Sequence, residues 1–133
     1  MGHHQMKRSE ASRMVIALRE ALNLTQQEFA TVLQAAISTV ARWETKDPPK
    51  GDALLQLSNV AWKRNQPVLC DHFETLFLDE VLPRLHCKRI RKSGDKSGWI
   101  VCRYDSRNDA KPASEFLLHS AADLADIANQ EKP

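Results

Sequence analysis

Wound at about 100° per residue, the stretch Leu24 to Glu44, LTQQEFATVLQAAISTVARWE, gathers Phe29, Val32, Leu33, Ala36, Ile37, Val40 and Trp43 within an arc of about 140°. This pattern admits two structures: one continuous amphipathic helix, or two shorter helices that share a buried face. No glycine in its middle marks a break. A single helix is most simply a packing element, whereas two helices at a sharp angle can set the second one into the major groove of DNA.

The flanking residues set boundaries. Thr25 is a good N-cap, and Glu28 three residues on completes a capping box, so a helix starts at Gln26. Upstream, Ser9-Glu10-Ala11 opens a helical pattern with Ala11, Val15, Leu18 and Leu22 at spacings of three and four. Asn23 ends it, because Asn tolerates the left-handed conformation just beyond a helix. Downstream, Asp47-Pro48-Pro49-Lys50-Gly51 is a breaker. Asp52 can cap a helix from Ala53 to about Lys63, with Leu54, Leu57, Val60 and Ala61 on one face. Asn65-Gln66-Pro67 interrupts it, and Pro67 suits the first turn of a further helix. That helix carries Leu69, Phe73, Leu76 or Phe77, and Val81 or Leu82 along a broad apolar stripe, with Pro83 near its end.

From Cys87 the texture changes. CKRIRK and WIVCRY read as a hairpin across a loop from Ser93 to Gly98, and Glu115 to His119 as a third strand. Ser120-Ala-Ala-Asp123 is a capping box for a last short helix ending near Asn129. The expected architecture is mainly α: a five-helix domain over residues 9–85, with a small β-β-β-α appendage over 86–133. The appendage is too small to fold alone, so it is expected to dock on the helices or on a second copy, with the hairpin edge from Trp99 to Tyr104 as the contact.

Composition narrows the partners. A chain of 133 residues buries one ordinary core, and its net charge of +2 gives no whole-chain case for nucleic acid. The charges are unevenly spread: an acidic middle separates two mildly basic ends. The only concentrated run, Arg84 to Lys92, holds five cations and no carboxylate, which reads first as a solvated face and second as a nucleic-acid or membrane patch. Cys70, Cys87 and Cys102, with no apolar signal segment, fit free thiols in the cytoplasm. No run approaches the ~20 apolar residues of a membrane helix. Met6 stands where N-myristoylation wants Ser or Thr, and His3 and His4 read as a terminal tip.

The register of the flanks favours two helices over one. Leu24 to Glu44 resembles, without a gap, the helix-turn-helix of the Xre/Cro family of phage-repressor-like DNA-binding domains. Leu24-Thr25-Gln26 matches its start, Ala30 the small residue where its two helices touch, Val40 the buried aliphatic of the second helix, and Arg42-Trp43-Glu44 its end. Leu18-Arg19-Glu20 stands where the first helix of the family carries its arginine, and Asp52 to Ala61 matches the fourth helix. The resemblance covers residues 12 to 63 and implies two helices, Gln26 to Leu33 and about Ile37 to Glu44. The turn departs from the family: Gln34 replaces a glycine and Ala36 a Ser or Thr cap, each at a cost of ~1 kcal/mol.

The resemblance implies double-stranded DNA as partner, with Ile37, Ser38, Ala41 and Arg42 reading bases. Arg42 would fork onto a guanine and Ile37 would meet a thymine methyl. Gln26 would meet a phosphate, and Thr39, Lys46 and Lys50 are further phosphate candidates. It also pairs Arg19 with Glu44 as a structural ion pair. Trp43 is read as packing, Trp62 and Trp99 as core or dimer surface, and Ile37 has a competing reading as core. No metal, cofactor or enzymatic activity is expected: His86, Cys87, Cys102 and His119 lack ligand spacing, Cys70 and His72 diverge on a helix, and no phosphate loop, nucleophile elbow or carboxylate pair occurs. The function implied is a sequence-specific transcriptional regulator, dimeric on a two-fold operator. Two alternatives stand beside it. One is an antitoxin-like protein whose residues 86–133 bind a toxin while the helices autoregulate; the other is a structural helical module with one long helix from 26 to 44.

Overall fold

Ser9 starts the first helix, α1 (Glu10–Ala21), by accepting the Ser12 N–H on its Oγ at 3.1 Å. A computed structural model of the chain describes residues 9–92, 98–105, 110–118 and 123. Within them α1 is followed by α2 (Gln26–Leu33), α3 (Ile37–Thr45), α4 (Asp52–Lys63) and α5 (Pro67–Val81). A 3-10 turn over Leu82–Leu85 and the strands β1 (Cys87–Lys92), β2 (Trp99–Arg103) and β3 (Ser114–Leu118) complete the order. The expected last helix from 120 to 129 lies outside the described residues, apart from Asp123. His3, His4, His119 and most of the 93–98 loop lie outside them too.

Three helix ends share one closure. After α1, the N–H groups of Asn23 and Leu24 donate to the Glu20 and Arg19 carbonyls at 3.0 and 3.1 Å, with Asn23 left-handed at φ 57°. After α4, Asn65 at φ 60° does the same, its N–H and that of Gln66 reaching Trp62 and Ala61 at 3.1 and 2.8 Å. After α2 the left-handed residue is Gln34, at φ 55° and ψ 41°; its N–H and that of Ala35 donate to the Thr31 and Ala30 carbonyls at 3.1 and 2.9 Å. Gln56 on α4 donates its Nε2 to the Leu33 carbonyl, satisfying another acceptor at this end. Residues 26 to 44 are therefore not one helix, and the structural module that required one loses its premise.

The turn resorts the apolar stripe. Phe29, Ala30, Leu33 and Val40 are buried, together with Val15 and Leu18 of α1 and Leu54, Leu57 and Ala61 of α4. Ala36 and Ile37 leave the core, so the reading of Ile37 as a core residue is corrected by its 44 % exposure. Ala36 takes the extended N-cap conformation of α3 without a side-chain hydrogen bond. The cap of α4 also differs from expectation. Asp52 is the first helical residue, and Gly51, at φ 56° and ψ −131°, precedes it in a conformation that a Cβ disfavours.

Because Gln34 already sits in the left-handed well, Gln34→Gly removes the Cβ penalty at the cost of some unfolded-chain entropy. The protein should be unchanged or stabilised by up to ~1 kcal/mol in thermal unfolding. Destabilisation by ~1 kcal/mol, the cost of glycine inside a helix, would contradict the turn.

The chain divides into two compact units, the boundary falling between Phe73 and Glu74 inside α5. In the second unit the sheet order is β1-β2-β3, antiparallel throughout. Trp99 pairs with Lys92 on one side and Leu118 on the other, and Arg103 with Cys87 and Ser114. β2 is thus the central strand, which corrects the expected contact edge: both hydrogen-bonding edges of Trp99 to Arg103 are already used. A bulge interrupts β1 between Arg89 and Arg91. Phe77, Leu78, Val81, Leu82, Trp99, Val101 and Leu118 are buried in this unit.

Arg84, Lys88 and Arg89 of the basic run have local partners. Arg89 donates to Asp79 through Nε at 2.7 Å and Nη2 at 3.1 Å, and its guanidinium lies 5.8 Å from the Trp99 ring centre. Lys88 Nζ sits 5.4 Å from the Tyr104 ring centre, and Arg84 approaches Glu80 at 3.8 Å. The Asp79 hydrogen bond is the main reason the Arg89 pKa is raised, against the opposing effect of burial.

Candidate nucleic-acid interface

The first unit is organised around one buried carboxylate. Glu44 projects from the end of α3 and its side chain is only 5 % exposed. Arg19 on α1 meets it with two hydrogen bonds, Nε to Oε2 at 2.7 Å and Nη2 to Oε1 at 3.0 Å. The third arm of the same guanidinium, Nη1, donates to the Leu24 carbonyl at 3.1 Å, which fixes the connection between α1 and α2. Gln26, the first residue of α2, adds a third donor to the carboxylate, Nε2 to Oε1 at 3.1 Å. The hydrogen bond that Arg19 donates to Glu44 is the largest cause raising the Arg19 pKa; burial opposes it. Three helices are thereby locked at one point, and no buried side-chain nitrogen or oxygen among the described residues lacks a partner.

This lock fixes which face of α3 turns outward. Val40 and Glu44 point inward, while Ile37, Ser38 and Arg42 are exposed and Ala41 is half-buried. Of the other sequence-derived candidates, Lys46 and Lys50 are exposed and Thr39 is half-buried. At the start of α2 the capping box joins Thr25 Oγ1 to the Glu28 N–H at 3.1 Å and Glu28 Oε1 to the Thr25 N–H at 2.9 Å. The N–H groups of Gln26 and Gln27 are not part of this box and belong to the first helical turn, whose amides have no acceptor within the helix.

Residues 15–60 match the family model described as Helix-turn-helix. The chain carries a helix-turn-helix domain of the Xre/Cro kind. Within this domain α2 and α3 are the paired helices, and Gln34-Ala35-Ala36 is the turn between them. The helix-turn-helix family is a DNA-binding regulatory one. Searches among curated proteins and among solved structures found no match to the chain. The matched segment stops at Val60 inside α4, so α5 and the sheet lie beyond the helix-turn-helix match.

One contact of the domain has no counterpart in the sequence reading: Arg42 Nη2 donates to Asp47 Oδ2 at 3.0 Å, both side chains being well exposed. The pair spans the end of α3, where helical spacing does not mark it. Trp43 is half-buried, and Trp62 is 66 % exposed, which removes it from the core of the chain; Trp99 is buried. Among the described residues no three His, Cys, Asp or Glu side chains converge as a metal site, and no helix is long and apolar enough to cross a membrane. Burial is the main cause that pushes the Cys87 thiol up, which suppresses the nucleophilic thiolate.

Proposed function

We propose that the chain is a sequence-specific transcriptional regulator that binds a two-fold operator as a homodimer and reads bases with the outer face of α3. The observation carrying this reading is the division of that helix. Glu44 and Val40 anchor its inner face, and Ile37, Ser38 and Arg42 stand exposed along the other. Arg42 offers the forked donors that match guanine O6 and N7, Ile37 an apolar surface for a thymine methyl, and Ser38 a donor and acceptor. Ala41 is small enough to let a base edge approach.

Phosphates are assigned to the start of α2 and its surroundings. Gln26 keeps one Nε2 hydrogen beyond the one given to Glu44, and the nearby helix-start amides favour an anion. Thr39, Lys46 and Lys50 extend the phosphate-contacting set. Gln26→Ala should weaken every duplex by a similar factor of about 10, with little change in the salt slope because no charge is lost. Loss of preference at one base pair in a binding titration would instead make Gln26 a base reader.

One short helix reads too few bases for useful specificity, which is the argument for two copies. In this reading the helices to residue 85 engage DNA, and residues 86–133 serve assembly. Among the described strands the outer edges are β1 and β3. β1 carries the cations and a bulge, both of which discourage pairing, whereas Ser114–Leu118 has neither, so β3 is the edge assigned to a second copy. Leu117→Lys would put like charges near that two-fold axis. It should raise the dimer dissociation constant by about 10-fold or more and lower operator affinity without changing the preferred bases. An unchanged sedimentation profile would refute the edge assignment. A partner protein adding a strand there would be the antitoxin arrangement; a toxin-sized neighbouring reading frame and a mixed complex in place of the self-dimer would identify it. Three free cysteines accord with a cytoplasmic location.

Selection from a random duplex pool at low salt tests the function itself. A two-fold sequence with half-sites about one helical turn apart, ~34 Å, should emerge. A pool that stays unenriched would overturn the proposal.

A further inference from the structure

We propose that Asp47 is a specificity-determining residue: it holds the Arg42 guanidinium toward the base edge and keeps it from settling on a phosphate. The inference rests on the base-reading role given above to Arg42, and adds to it a residue that touches no base.

The geometry holds the backbone at Asp47 from two sides. The Arg42 carbonyl accepts the N–H groups of both Lys46 and Asp47 at 2.9 Å, so the chain curls over the end of α3 and returns Asp47 to Arg42. Pro48 follows at once and disfavours helical backbone at Asp47, and Pro49 behind it is buried. From there Asp47 Oδ2 accepts one Arg42 Nη2 hydrogen at 3.0 Å. The remaining N–H groups of the guanidinium stay available for a forked bond to guanine.

Folding does not account for the carboxylate. An exposed ion pair contributes little to stability, and a negative charge beyond a helix C-terminus opposes the helix dipole. Its sign is also unfavourable for meeting a polyanion. It does, however, act differently on the two destinations open to Arg42. A guanidinium moving to a phosphate must leave Asp47, and the carboxylate then faces the phosphates uncompensated. A guanidinium reaching a base edge can keep Asp47 as its second partner. Asp47 thus weakens sequence-independent binding more than it weakens the correct complex.

The test uses the full-length protein in four forms: wild type, Asp47→Asn, Arg42→Ala and the double substitution. Each is titrated at several salt concentrations on the selected operator, on the operator with the Arg42-read guanine replaced, and on an unrelated duplex. Asp47→Asn should bind the unrelated duplex about 5-fold more tightly, with a salt slope steeper by about one unit. It should lose a similar factor of discrimination at the Arg42 position. In the Arg42→Ala background the same change should leave discrimination unaltered. If Asp47→Asn strengthens all three duplexes equally, the carboxylate acts only through general charge and this proposal fails, while the reading by Arg42 stands. If Arg42→Ala itself leaves the base preference intact, the base-reading role falls and this proposal with it.

Discussion

Arg19→Met should destabilise the protein by ~3 kcal/mol, seen as a fall in melting temperature of roughly 15 °C. The substitution keeps the bulk of the side chain but leaves the Glu44 carboxylate, 5 % exposed, with Gln26 as its remaining side-chain donor. Removing one partner of a buried pair strands a charge, and that cost exceeds the net worth of the pair when intact. A double substitution, Arg19→Met with Glu44→Leu, removes both charges and should regain much of the lost stability. It should not regain DNA affinity, because Gln26 then loses the acceptor that holds its amide at the start of α2. If Arg19→Met melts within a degree or two of the wild type, the three-helix lock is not what orients α3.

Arg42→Ala should cost ~1 to 3 kcal/mol on the best duplex and flatten the preference at one guanine in each half-site. The fold should be unaffected, since the Arg42 side chain is exposed and its partner Asp47 lies on the surface. The alternative is a phosphate contact, which has a different signature: uniform weakening of all sequences and a salt slope lower by about one unit. Binding measured on single-base variants at two or more salt concentrations separates them.

Much of this architecture was legible because single residues carry strong local physics. The capping box of Thr25 and Glu28, the left-handed Asn23 and Asn65, and Pro67 at the first position of α5 each marked a boundary that the structure shows. Gln34 was legible only through the family resemblance. A glutamine has no preference for the left-handed well, and the apolar stripe across it favours a continuous helix. The closure with Thr31 and Ala30, the bond from Gln56 and the burial of Phe29, Leu33 and Val40 override that local preference. The pairing order of the sheet was not legible either: three strands in sequence leave open which one lies in the middle, and β2 proved to have no free edge. The Arg42–Asp47 contact escaped because it spans a helix end, where the side-chain spacing of a regular helix no longer applies.

The most direct test of the central claim, that α3 reads bases in the major groove, is methylation interference on the selected duplex. Methyl groups on guanine N7 occupy the major groove, and those on adenine N3 the minor groove. The account predicts that N7 methylation of one guanine in each half-site abolishes binding by the wild type and has no effect on the residual binding of Arg42→Ala. Interference confined to adenine N3, or none at any guanine, would contradict it.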